Sequence, residues 1–200
     1  MTALVFDIEC DGLNPTKIFC IVTHDIRTNE TRRFTPSQID EGVAYLKTAE
    51  KLIGHNILCF DIPVVNRICK TDIAKDKAVV DTLVLSRLFN PSREGGHGLE
   101  GWGYRLGYRK GDFDEFDHYC EEMLEYCTRD VLLNVKVYRQ LCREANGFTK
   151  QSMEIEHDVA RILNDQRTHG FLLDVRYASM LVASLNEELK ECVDEVHKTF

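Results

Sequence analysis

The chain has 200 residues, a hydrophobic fraction of 44% and a formal net charge of −8. That length suits one compact domain with the beginning of a second, and the apolar share is enough for a core. No long basic run is present, which excludes a protein that coats duplex nucleic acid by charge alone but not an acidic cleft that meets phosphate through a cation.

The first predicted element is a strand around Val5-Phe6-Asp7-Ile8-Glu9. Leu4, Val5, Phe6 and Ile8 suit a buried strand, and Asp7 and Glu9 interrupt them at alternate positions. Residues two apart on a strand share a face, so the two carboxylates stand side by side. Two anions that close repel and lose hydration unless a cation lies between them, although a surface strand with two solvated acids is the plainer alternative.

Asp11 to Pro15 reads as a turn, Lys17 to His24 as a second strand and Thr31 to Phe34 as a third, a meander of antiparallel strands. Thr35-Pro36-Ser37 opens a helix, capped by Thr35 or Ser37, with Ile39, Val43 and Leu46 as its apolar stripe. Lys51 to Asn56 is a short strand leading to Phe60-Asp61-Ile62-Pro63. Proline suits a first helical turn, so Asp61 lies at a helix N-terminus, where capping alone explains it.

Val79-Val80 and Asp81-Thr82 make another strand and a capped helix ending near Phe89. A loop follows over 90–98, then a short helix over Leu99 to Leu106 in which Trp102 and Tyr104 are read as packing residues. After a second loop the chain is expected to be helical from Glu115. Cys127, Val131, Val135, Tyr138 and Cys142 form one stripe, while Tyr126, Asp130 and Asn134 share a neighbouring face at four-residue spacing. Ala145-Asn146-Gly147 ends that helix. Residues 1–147 are expected to form one domain and 148–200 a helical segment leading into another. That segment holds a helix from Met153 to His169, and Asp174 then caps a last helix. Leu181, Leu185, Leu189, Val193 and Val196 give this helix a stripe in need of a partner, as in a fragment cut inside its second domain.

The eight cysteines form no Cys-x-x-Cys pair and none pairs with His at zinc spacing. Reduced, mostly buried thiols in a cytoplasmic protein are expected. Acids interrupt the first apolar run, and no run approaches the roughly 20 residues that span a bilayer, so no signal peptide or membrane association is expected.

Four acids thus lie in separate elements, and their motifs resemble those of the DEDD exonuclease superfamily. Asp7-Ile8-Glu9, Asn56-Ile57-Leu58-Cys59-Phe60-Asp61 and Tyr126-Cys127-Thr128-Arg129-Asp130 stand in that family's order. With Tyr four residues before the last Asp, the chain resembles the tyrosine branch, which includes the proofreading domains of family A and B DNA polymerases and the ribonuclease D group. Asp81 to Leu88 and Leu99 to Gly107 are similar to the exonuclease domain of T-seven-like podophage replicative polymerases. Ile155-Glu156-His157 and Arg167 to Asp174 are similar to the segment that joins that domain to the polymerase portion.

This resemblance implies an α/β, ribonuclease H-like fold, a central mixed sheet flanked by helices. It implies metal-dependent 3′→5′ removal of nucleoside monophosphates from single-stranded DNA, the proofreading activity of a polymerase. Two divalent cations, Mg²⁺ or Mn²⁺, would be held by Asp7, Glu9, Asp61 and Asp130, hard carboxylate donors of the kind Mg²⁺ selects. Tyr126 would orient the attacking water, since a phenol of pKa about 10 is a poor base near neutrality. The implied partners are a single-stranded DNA 3′ end and a polymerase domain of the same protein, with any processivity factor docking outside this chain. The implied location is the cytoplasm, that of a bacterial host if the gene is a phage's.

Leu13, six residues after Asp7, is either a wedge between the last two bases or an ordinary core leucine. Asn56 either bonds the terminal nucleotide or ties down its loop. Phe113 and Phe116 are each a base-stacking ring or a core residue. The motifs do not separate DNA from RNA, so a ribonuclease D-like RNA exonuclease is the alternative enzyme. A catalytically silent nucleic-acid-binding module on the same fold is the alternative outside enzymes.

Overall fold

The structure, a computed structural model, describes residues 2–109, 111 and 113–199. Its centre is a five-stranded sheet in the order β3-β2-β1-β4-β5. The strands are β1 (Ala3–Cys10), β2 (Ile18–Asp25), β3 (Glu30–Phe34), β4 (Lys51–Gly54) and β5 (Ala78–Asp81). β1, β2 and β3 run antiparallel through short turns, whereas β4 and β5 run parallel to β1. The mixed sheet follows from connection length: tight turns reverse the first three strands, and helical crossovers return the chain to the same end for the others. The crossovers are α1 (Ile39–Lys47) before β4 and α2 (Asp61–Ile68) before β5.

Alternation along β1 sorts its side chains between two cores. Leu4, Phe6 and Ile8 enter a core with α1 and α2 residues such as Leu46, Ile62 and Val65. Val5 faces the other way, into a core with Leu124, Cys127, Val131 and Val135 of α5 (Glu121–Glu144). Asp7 and Glu9 follow Val5 on that face. The strand therefore carries its carboxylates toward α5 because its apolar residues are anchored on both sides of the sheet.

A third cluster packs α3 (Thr82–Phe89) and α4 (Leu99–Leu106) on α5 around Trp102, which is 1% exposed. Arg93 and Arg105 each lie over its ring, at 4.3 and 4.4 Å from the centroid. Arg93 also pairs with Glu144 at 2.6 Å. Tyr104, read as a packing residue beside Trp102, is instead exposed. Two positions apart on a helix are about 200° round the axis, so the face that buries Trp102 turns Tyr104 to solvent.

Three further expectations are corrected. Helix α5 starts at Glu121, not Glu115. The residues before it stay irregular, and Phe113 and Phe116 fold back so that their rings meet each other at 5.1 Å and Tyr126 at 5.6 and 6.3 Å. Of the cysteines, only Cys10, Cys20 and Cys127 are buried, and all eight are free thiols. Thr35 caps its turn with Gln38 in a reciprocal box, but the turn is 3₁₀ and α1 begins after it.

Packing divides the chain into Met1–Asn164 and Asp165–Phe200. Helix α6 (Lys150–His169) begins in the first unit, where Ala160 reaches the α1–α2 core and Met153 the Trp102 cluster. In the second unit, Asp174 accepts the Tyr177 N–H at 2.9 Å and starts α7 (Val175–Thr199), whose apolar stripe is exposed. Among the described residues, no helix is long and apolar enough to cross a membrane.

Candidate active site

Asp7, Glu9 and Cys127 bring one ligand atom each to within 4.8 Å of one another. Asp7 and Glu9 come from β1 by alternation; Cys127 comes from α5, whose Val131 and Leu124 pack on the same sheet face. The Cys127 thiol donates to Asp7 Oδ2 at 3.7 Å. Burial, reinforced by neighbouring Cys20, Asp7 and Glu9, pushes its pKa well up, so it faces the carboxylates as a neutral donor. Sequence reading placed Cys127 only in the core stripe. Its neighbourhood with Asp7 spans 120 residues and leaves no local signal.

Asp61 arrives from a different direction. Strand β4 pairs with β1 only as far as Val5 and ends at Gly54, so further on β1 is paired with β2 alone and its other edge is open. Asp61, the first residue of α2, fills that gap: its Oδ1 accepts the Ile8 N–H at 3.2 Å. It is thus tied to the residue between Asp7 and Glu9. Asp61 is 3% exposed. Burial first, and then the nearby Asp81 carboxylate, push its pKa up to about 7 against the lowering hydrogen bonds.

Asp130 lies one helical turn after Cys127, 3% exposed. Tyr126 is half-buried under Phe113 and Phe116. It opens onto two clefts, of about 500 and 710 Å³, on either side of the loop at Gly111. The carboxylates of Asp61 and Asp130 are outside the 4.8 Å group, which among the described residues holds Asp7, Glu9 and Cys127. The donor set fits a hard divalent cation: carboxylate oxygens supply the charge, and the thiol stays protonated.

Leu13 is 95% exposed on the turn after β1, so it is no core leucine. Asn56 has a left-handed backbone, φ 65°, which Asn tolerates better than most residues. Its N–H donates to Asp81 Oδ1 at 2.9 Å, and its carbonyl accepts from Cys59 and Phe60 at 3.1 Å each. The sequence marked Asp81 as a cap and nothing more. In the structure the same carboxylate also accepts the Leu58 N–H at 3.1 Å and is 1% exposed.

No protein-family model matches the chain. The DNA-directed DNA polymerase of Enterobacteria phage T3 is 26% identical over 260 aligned residues, 98% of this chain and 37% of that protein. That of Escherichia phage T7 is 26% identical over 263, with the same two shares. The chain is similar to phage DNA polymerases. It spans 37% of the length of these relatives, and the fit is to an exonuclease domain.

Among solved structures, Brucella melitensis NrnC bound to pGG superposes with a TM-score of 0.64 at 19% identity, over 86% of this chain and 88% of that one. The apo form of a nuclease gives 0.56 at 17%, over 82% and 81%. The family B DNA polymerase of Pyrobaculum calidifontis gives 0.55 at 14%, over 71% and 24%. These likenesses, with the mixed five-stranded sheet flanked by helices, establish the α/β, ribonuclease H-like fold.

Proposed function

We propose that the chain is a metal-dependent 3′→5′ exonuclease acting on single-stranded DNA, the proofreading part of a phage-type replicative polymerase. The observation that carries this reading is the convergence of Asp7 and Glu9 on one face of β1, with Asp61 hydrogen-bonded to the residue between them. Sequence likeness to the T3 and T7 polymerases along 98% of the chain supports DNA as the substrate.

Asp7, Glu9, Asp61 and Asp130 are the residues that hold two divalent cations, Mg²⁺ or Mn²⁺. Such ions, when bound, acidify a water and stabilise the charge on the leaving 3′-oxygen. Asp7 and Glu9 need no rearrangement to share a cation, since the strand already sets them on one face. Tyr126, held by two aromatic rings, is rigid enough to orient the attacking water through its hydroxyl. The Cys127 thiol donates to Asp7 and fixes the direction of its carboxylate. Leu13 is an apolar wedge for the terminal bases, and Asn56 shapes the loop that delivers Asp61. Removal proceeds one nucleotide at a time from the 3′ end.

The test is a 5′-labelled single-stranded DNA oligonucleotide incubated in Mg²⁺, in EDTA, and with Asp130→Asn. A metal-dependent ladder that shortens from the 3′ end, absent in the variant, supports the reading. A parallel run on RNA decides the nucleic acid. A folded protein that gives no ladder in Mg²⁺ or Mn²⁺ overturns it in favour of a silent binding module.

A further inference from the structure

We infer that His157 and Asp81 are positioning residues that latch the Asp61 loop to helix α6. The inference deepens the reading of the acidic cluster above and rests on it wherever activity is the readout.

The latch is a chain of hydrogen bonds through one carboxylate. Asp81 Oδ1 accepts the N–H groups of Asn56 and Leu83, both at 2.9 Å, and Oδ2 accepts that of Leu58 at 3.1 Å. One side chain therefore caps α3 and also holds the loop over 56–58. That loop sets the start of α2, because Ile57 and Phe60 accept from Ile62 and Val64 at 3.0 and 2.9 Å. Asp61 lies between these bonds and can reach Ile8 only if they hold.

Asp81's own N–H is at the end of β5, the edge strand, where no further strand offers a carbonyl. His157 Nε2 takes it instead, at 2.9 Å. The ring's other nitrogen, Nδ1, is 2.7 Å from the Met153 carbonyl, which can only accept. Nδ1 therefore carries the proton, and the Nε2 lone pair faces Asp81. His157 is 6% exposed. Without it a buried N–H loses its acceptor, and the backbone that aims the Asp81 carboxylate loses its hold.

Close packing does not substitute for this bond. A cavity of about 650 Å³ separates α6 from β5 and α5, walled by Val79, Leu85, Tyr138 and Met153 beside His157. On the other side, Thr82 Oγ1 donates to Asn134 Oδ1 at 2.8 Å and lies 3.1 Å from the Gly54 carbonyl. Helix α5 thus steadies the next residue, while the Asp81 N–H itself depends on α6.

Two polar variants separate the two bonds of the ring. Gln places its amide oxygen near the Nε2 position and can accept from Asp81, while Asn reaches only the Nδ1 position and keeps the Met153 bond. The readouts are amide hydrogen exchange at Asn56 and Leu58 in the 200-residue chain, and Mg²⁺ titration of single-stranded DNA hydrolysis. His157→Asn is expected to speed exchange at both amides and to raise the Mg²⁺ concentration for half-maximal rate about 10-fold, as loss of a partner behind a metal ligand does. KM for DNA should stay within about twofold, because the latch touches no substrate. His157→Gln is expected to restore both readouts. Unchanged exchange in His157→Asn, or equal impairment in the two variants, overturns the latch. If exchange behaves as expected while wild type itself hydrolyses nothing, the latch stands and the nuclease reading falls.

Discussion

Asp61 accepts its hydrogen bond from Ile8, the residue whose neighbours on either side are Asp7 and Glu9, at 3.2 Å. A carboxylate from a helix N-terminus thereby takes a backbone N–H of β1 and is tied to the strand that carries the other two acids. The bond places the negative end of Asp61 in a buried setting, where ionisation is costly.

That cost gives the first prediction. Burial raises the pKa of Asp61 to about 7 in the folded chain, above the carboxylate's unfolded value. The folded state therefore holds this proton more tightly, and its contribution to stability is full at acid pH and lost as pH rises through about 7. In EDTA, unfolding experiments should show stability falling by on the order of 3 kcal/mol between pH 4 and pH 8. Asp61→Asn, which can still accept from Ile8, should flatten that slope and melt higher than wild type at pH 8. An unchanged slope in the variant would sink the assignment.

Asp7→Asn keeps size and the thiol contact but loses the charge, so Tm should hold while metal-dependent hydrolysis falls by more than roughly 100-fold. Isothermal titration with Mn²⁺ should lose its binding heat in parallel. Retained metal binding would show that the ion sits elsewhere.

Tyr126→Phe keeps the ring between Phe113 and Phe116 and removes only the hydroxyl. Stability should fall by no more than about 1.5 kcal/mol, the range of one hydrogen bond. If the hydroxyl orients water, kcat should drop by about 10²-fold with KM for DNA unchanged. A rise in KM alone would make the residue a substrate contact.

Leu13 projects fully into solvent, 95% exposed, so truncation removes no packing. Leu13→Ala should leave Tm within about 1 °C and raise KM for single-stranded DNA several-fold, in line with roughly 1–3 kcal/mol for an apolar contact to a base. An unchanged KM would return it to the status of a surface residue.

Gly54 ends β4 at the turn toward Asp61. A Cβ there would lie 2.0 Å from Ile57 Cγ2 and 3.0 Å from the Phe6 carbonyl. Gly54→Ala should therefore cost about 2 kcal/mol of stability, through overpacking rather than backbone strain. Calorimetry of wild type and variant tests it, and an unchanged Tm would show that the core yields without cost.

The first strand, the meander and most helix limits were legible in the sequence, because each is a local periodicity, whereas the four acids were joined only by the likeness of their motifs to a known family. Alternation put Asp7 and Glu9 on one face, and Pro63 put Asp61 near a helix start; the structure has both. Composition and turn chemistry separate Trp102 from Tyr104 less well, since helix phase relative to the core decides which is buried. The start of α5 escaped for another reason: Phe113 and Phe116 pack onto Tyr126, a contact between loop and helix that no local pattern announces.

By itself the sequence determined which residues carry charge, which segments alternate and which helices have an apolar stripe, all properties set within a few positions. Only the tertiary structure decided that Asp61 reaches Ile8 across 53 residues, that Cys127 faces Asp7 across 120, and that His157 meets Asp81 across 76. Those meetings depend on where one strand stops, which face of α5 is buried and how α6 crosses a sheet edge. Such choices are made by packing the whole core at once, and no window of local sequence contains them.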